Sequence, residues 1–113
     1  MSSTYYKLKA STSESIRDIG IAMREYVDAE NVGEQFHSLG DANVYILSME
    51  RYFFRNGSYA GLTVVLTEHG TEKTADIIGS GGGEGFFNVS WGANTDFANK
   101  AAEILRKFGF RSC

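Results

Sequence analysis

Polar and apolar positions alternate from Thr4 to Ala10, with Tyr6, Leu8 and Ala10 on one side and Tyr5, Lys7 and Lys9 on the other. A two-residue period with one polar side predicts a short strand with one wet face. The period then changes. Ile16, Ile19, Gly20, Met23 and Val27 recur at helical spacing, with Tyr26 at the stripe's edge. Glu14, Arg17, Asp18, Arg24, Glu25 and Asp28 lie opposite, and Ile21 departs from the pattern by pointing to the charged side. Ser11 stands three residues before Glu14, the spacing of a capping box, so the helix is expected to open there. From Glu30 to Asp41 the periodicity is weak and two glycines interrupt it, which reads as a connection with room for one extra turn.

The clearest strands are Asn43 to Arg55 and Tyr59 to His69, separated by Asn56-Gly57, a strong signal for a tight hairpin turn. Pairing outward from a two-residue turn sets Phe53 against Ala60, Arg51 against Leu62, Met49 against Val64 and Leu47 against Leu66. Arg51 is the one polar member of that face, which is therefore the expected core face. The other face carries Tyr52, Phe54 and Tyr59 near the turn. A four-residue loop would preserve these faces, whereas a three-residue loop would invert them. Gly70-Thr71 predicts a second turn and Lys73 to Ile78 a third strand. Phe86 to Trp91 is a further candidate for extended chain.

Asn94 or Thr95 is the expected cap of a last helix, with Asp96 in its first turn, where the helix dipole favours an acid. Phe97, Ala101, Ile104, Leu105 and Phe108 form its apolar stripe, with Lys100, Glu103, Arg106 and Lys107 outside it. Gly109 suits the position just past the helix, from which Phe110 can fold back on Leu105. The order is β-α-β-β-β-α. The simplest solution is an α+β two-layer sandwich: a mainly antiparallel sheet with two helices on one face. Leu47, Met49, Leu62, Val64, Leu66, Ile104 and Phe108 are its expected core.

Composition adds bounds. The chain has 113 residues, 42% hydrophobic and 22% charged, the usage of one ordinary globular domain. Net charge is −3 with 11 basic residues, too few for the broad field that phosphate backbones need, so nucleic acid is disfavoured as a partner. Cys113 is the one cysteine, which rules out an internal disulfide or a cysteine-rich zinc site and predicts a frayed terminal thiol. The first residues lack the basic start and apolar run of a signal peptide, and no apolar stretch approaches the ~20 residues of a membrane span. The cytoplasm is the expected compartment, and no membrane, cofactor or metal is called for.

One local feature stands out. Five of the seven residues from Gly79 to Gly85 are glycine. Their amides could cradle an anion, in a site formed by Gly81, Gly82 and Gly83 with Trp91 and Thr95. The run is not a phosphate-binding P-loop, because Glu84 stands where a cation is wanted. A tightly turned connection is the more ordinary reading. His69 beside Glu68 and Glu72 suggests acid–base chemistry, but polar residues are also what a turn there needs. Arg51 suits an acidic ligand or, more commonly, a nearby carboxylate. Spacing supports no nucleophile–base arrangement, so the case leans against an enzyme.

From the hairpin onward, about the last two thirds of the chain resembles a small, single-domain bacterial family of unknown function. The resemblance rests on Glu50-Arg51-Tyr52-Phe53, Leu62-Thr63-Val64-Val65, Gly79-Ser80-Gly81-Gly82-Gly83 and Trp91-Gly92-Ala93. It implies a bacterial, cytosolic protein and no particular activity. The leading functional expectation is a binding or self-associating module, a homodimer joined through Tyr52, Phe54 and Tyr59, since clustered exposed aromatics mark interfaces. The rival is a small-molecule or anion-binding protein with its site at the glycine run. Double-stranded RNA binding ranks last, because the last helix opens on Asn94-Thr95-Asp96 rather than on a basic cluster.

Overall fold

A computed structural model describes residues 3–53, 58–81 and 93–113. In chain order they form β1 (Ser3–Ser11), α1 (Ile16–Tyr26), β2 (Glu30–Leu39), β3 (Ala42–Phe53), β4 (Ser58–His69), β5 (Glu72–Gly81), α2 (Ala93–Lys107) and β6 (Arg111–Ser112). The six strands make one sheet in the order β2-β3-β4-β5-β1-β6, and every described pairing is antiparallel. The α+β class and antiparallel sheet expected from the sequence are present. The expected order is corrected by two strands, β2 and β6.

The topology follows from where β1 sits. The meander β2-β3-β4-β5 returns to pair with β1, so the chain leaving β1 must reach the far edge of the sheet before β2 begins. Four strand spacings of ~4.8 Å amount to ~19 Å, and an eleven-residue helix covers ~16 Å. Helix α1 makes that crossing and packs on β3 and β4, while α2 packs on β5, β1 and β4.

Successive rows across the strands show why one side of the sheet is core. Tyr45, Leu66, Ala75 and Leu8 stand in one row, Leu47, Val64, Ile77 and Tyr6 in the next, and Met49, Leu62, Gly79 and Thr4 in a third. Their apolar members join Ile16, Ile19, Met23, Phe97, Ala101, Ile104 and Leu105 in one buried cluster. Phe108, expected inside, is half-buried at the cluster's edge. The β3–β4 register is shifted by two from the pairing a two-residue turn would give. Arg51 faces Ala60 and Phe53 faces Ser58, leaving four residues, 54–57, between the strands. An even shift keeps every side chain on its expected face. The Asn56-Gly57 turn and the stretch from Phe86 to Trp91 lie outside the described residues.

Four local readings are corrected. Glu30 to Leu39 is an edge strand rather than a connection, joined to β3 through Gly40-Asp41, with Gly40 at φ 74°. Ser11 does not cap α1, because β1 continues through it to pair with Glu72; Ser15 is the cap, its Oγ accepting from the Asp18 amide at 3.1 Å. Helix α2 begins at Ala93, so Asn94 and Thr95 lie inside its first turn rather than before it. The expected frayed terminal thiol is corrected in part: Cys113 is exposed, but its amide bonds the Lys7 carbonyl at 3.3 Å, following Arg111 and Ser112, which pair with Lys9 and Leu8.

The end of α2 matches the sequence reading. The Gly109 amide bonds the Arg106 carbonyl at 3.0 Å and the Phe110 amide bonds that of Leu105 at 3.2 Å. Gly109 sits at φ 95°, and Phe110 is fully buried.

Gly20 is the tightest point of the helix–sheet contact, since a Cβ there would overlap the Tyr45 ring. Tyr45 is buried and its hydroxyl bonds Glu34, so the ring cannot swing away. Alanine favours a helix over glycine by about 1 kcal/mol. Gly20→Ala is nonetheless expected to destabilise the protein by about 1–3 kcal/mol through overpacking. Thermal melts check this, and a raised midpoint would contradict the packing described.

Candidate functional site

Two places carry the chemistry of the described residues: a polar row at one end of the core face, and the outward face of the sheet. In the first, Asn43, Glu68, Lys73 and Ala10 are cross-strand neighbours one row beyond Tyr45 and Leu66. Lys73 is 3% exposed and the Glu68 side chain 13%, so both charges are largely out of water. Such charges need partners, and they have them. Glu68 Oε1 accepts from Lys73 Nζ at 3.0 Å and from the Ile16 amide at 3.2 Å. Oε2 accepts from Asn43 Nδ2 at 2.6 Å, and Lys73 Nζ also donates to the Gly70 carbonyl at 2.7 Å. Ile16 opens α1, so Glu68 anchors the positive end of that helix to the β4–β5 turn.

Burial works to raise the pKa of Glu68, but the hydrogen bonds from Asn43, Lys73 and the Ile16 amide outweigh it and hold the carboxyl below its ordinary value. These contacts use the carboxylate as an anchor, not as a reacting group. His69, the expected companion of Glu68, points to the opposite face, where its Nε2 lies 3.2 Å from Asp41 Oδ2 in the open. Strand parity thus separates His69 from Glu68, while Glu72 stands directly opposite His69 on the outward face.

The outward face is built from β2, β3, β4, β5 and β1. Tyr52 and Tyr59 are direct cross-strand partners, with ring centroids 5.0 Å apart and planes at 59°. They remain 42% and 54% exposed, which is large for two stacked aromatic rings. Phe54, the third expected interface residue, lies outside the described residues. Further along the same face Tyr5 stands opposite Ile78, both exposed, and Ile78 stands opposite Thr63. The Tyr5 hydroxyl donates to Asp76 at 2.6 Å, a bond that holds the phenol above its ordinary pKa. Tyr5 and Ile78 were legible in the alternation of β1 and β5 but carry no local motif.

The glycine-run residues fare differently. Gly79 and Gly81 are strand, opposite Leu62 and Ala60, and both are buried on the core face. The run's first three residues thus extend β5 rather than form a loop. Thr95 comes near this strand end through Thr4, the partner of Gly79, whose Oγ1 lies 2.8 Å from the Thr95 Oγ1. Gly82, Gly83 and Trp91 lie outside the described residues. Arg51 belongs to the core-face parity, but its side chain is exposed and lies 3.8 Å from Asp28.

On the helix side, a cleft of about 410 Å³ runs between Tyr26 and α2, where Lys100 and Lys107 are offset by Glu103. Among the described residues no group of three or more His, Cys, Asp or Glu is placed to hold a metal ion, and no helix is long and apolar enough to cross a membrane.

Residues 1–109 match a family described as a family of unknown function (DUF6054), and the chain belongs to it. No curated protein and no solved structure matches the chain.

Glu68→Gln is expected to cost about 3 kcal/mol near neutral pH, because it strands a buried ammonium. Lys73→Met should cost less, since Glu68 keeps Asn43 and the Ile16 amide. The pH dependence has a definite sign. A folded pKa below the unfolded ~4.3 adds stability that is complete above about pH 5 and is lost as pH falls through the folded value. The gap between wild type and Glu68→Gln in urea unfolding should therefore be constant from pH 5 to 7 and shrink below pH 4. A gap that widened in acid would contradict the anchor.

Proposed function

We propose that this member of the DUF6054 family works by association: two copies join through the outward faces of their sheets. The observation that carries the reading is the exposed Tyr52–Tyr59 pair, a rigid aromatic anchor on the side away from the core. Tyr5 and Ile78 extend the surface across β1 and β5. In this reading both helices cover the core face in two layers, and the other face is left for a partner.

A second copy suits that face in size. Five strands at ~4.8 Å and nine residues at ~3.4 Å give about 24 by 30 Å, or about 700 Å². Stable dimers bury about 800 Å² per partner. Lys7 and Lys9 lie on the β1 side, and Glu30 and Glu50 on the β2–β3 side.

The same reading places the protein in a bacterial cytoplasm, in keeping with its single cysteine. It assigns no reaction, membrane or nucleic acid to the chain. The alternative, a small anion at the glycine run, draws less support, because the Thr95 hydroxyl is engaged by Thr4 and the start of the run is buried strand.

Light scattering at working concentration is expected to give twice the 12.4 kDa chain mass. Tyr52→Glu with Tyr59→Glu should give a folded monomer. A monomeric wild type, or a dimer that survives the double substitution, would contradict the proposal.

A further inference from the structure

The outer edge of β2 is a second surface, distinct from the outward face. Among the described residues this strand ends the sheet, so alternate amides and carbonyls along it face no neighbouring strand there. Natural edges are commonly blunted by lysine, proline or a bulge. Here the register break lies between Asn31 and Gly33, which leaves Glu34 to Leu39 as a regular run of six residues, about 20 Å long. That run carries no lysine, arginine or proline, and exposed Leu39 stands at its end.

A groove of about 320 Å³ lies alongside, between this strand and α1. Glu34 and Phe36 point toward the helix, whereas Gln35 points to the other face. Gln35 nevertheless belongs to the groove's lining. The opposite wall is Arg17, Ile21 and Arg24, one side of α1. Ile21, the residue that breaks the helix's apolar stripe, thus has a place here.

The two arginines are not equivalent. Arg24 Nη1 donates to both oxygens of Glu34, at 2.9 and 3.0 Å. Arg17 rests 4.6 Å above the centre of the Phe36 ring and, among the described residues, pairs with no carboxylate. A guanidinium over an aromatic ring still has N–H donors to offer an acid.

We infer that the edge of β2 and the groove beside it accept an extended acidic peptide, which joins the sheet as a further strand and sets a carboxylate against Arg17. Main-chain pairing supplies affinity without sequence preference, and the groove reads every second side chain. The β2 strand of a second copy is the poorer occupant. Its Glu34 is already held by Arg24, Asn31 and Tyr45, so it brings Arg17 no spare carboxylate from the regular run.

The test uses full-length protein and two capped octapeptides that alternate valine and threonine, one with a central glutamate and one with lysine in its place. Amide shifts on titration are expected at Glu34 to Leu39 and at Arg17 to Arg24, with the glutamate peptide binding about tenfold more tightly, the size of one charge-assisted hydrogen bond. Arg17→Ala, on an exposed side chain, should keep the fold and erase the preference. Shifts confined to the outward face, equal binding of the two peptides, or a preference that survives Arg17→Ala would each overturn the proposal.

Discussion

The pairing register of β3 on β4 governs the rest of the molecule. Side chains alternate along each strand, so this one register sends Tyr45, Leu47, Met49, Leu62, Val64 and Leu66 to the same side. β5 and β1 pair onto that frame and add Ile77, Ala75 and Leu8 to the same face. The resulting apolar surface must be covered, and α1 and α2 supply the cover. Where the apolar rows end, Glu68 and Lys73 close the core with a paired charge, and the carboxylate holds the first turn of α1 in place. Fold and helix placement thus share one origin, and the polar row marks where sheet and crossover helix are fastened together.

How far the sequence discloses this depends on how strongly each element separates its two faces. The β3–β4 hairpin and both helix stripes do so clearly, and an error of two residues in register left the faces intact. β2 does not, because an edge strand that rests little on the core has both sides in water. Its residues are nearly all exposed, and only Glu34 and Phe36 show the alternation. Ser11 and Glu14 have capping spacing, yet the backbone of Ser11 is engaged by Glu72, so a longer strand displaced the helix start to Ser15. Two-residue β6 is too short to have a period at all.

The candidate surfaces were legible in unequal measure. Tyr52 and Tyr59 follow directly from hairpin parity, and their pairing is closer than a two-residue turn would have allowed. Tyr5 and Ile78 join them only once β1 is known to lie beside β5, a long-range pairing that no local pattern encodes. The Glu68 anchor was hidden by its neighbours: Glu68-His69-Gly70-Thr71 reads as a polar turn. Counting by twos from Leu66 nevertheless places Glu68 on the core face, where a lone carboxylate would have demanded a partner. The glycines at 79 and 81 read as a loop because strands seldom contain them; paired with Leu62 and Ala60, they are buried strand positions on the core face.

The central claim is that the outward face of the sheet is the working surface. An isotope-filtered NMR experiment on a one-to-one mixture of labelled and unlabelled protein tests it most directly, because it detects contacts between chains only. The account predicts intermolecular contacts from the Ile78 methyls and the Tyr5, Tyr52 and Tyr59 rings, with none from Ile104 or Met23. Intermolecular contacts confined to α1 and α2, or a complete lack of them at millimolar protein, would contradict it.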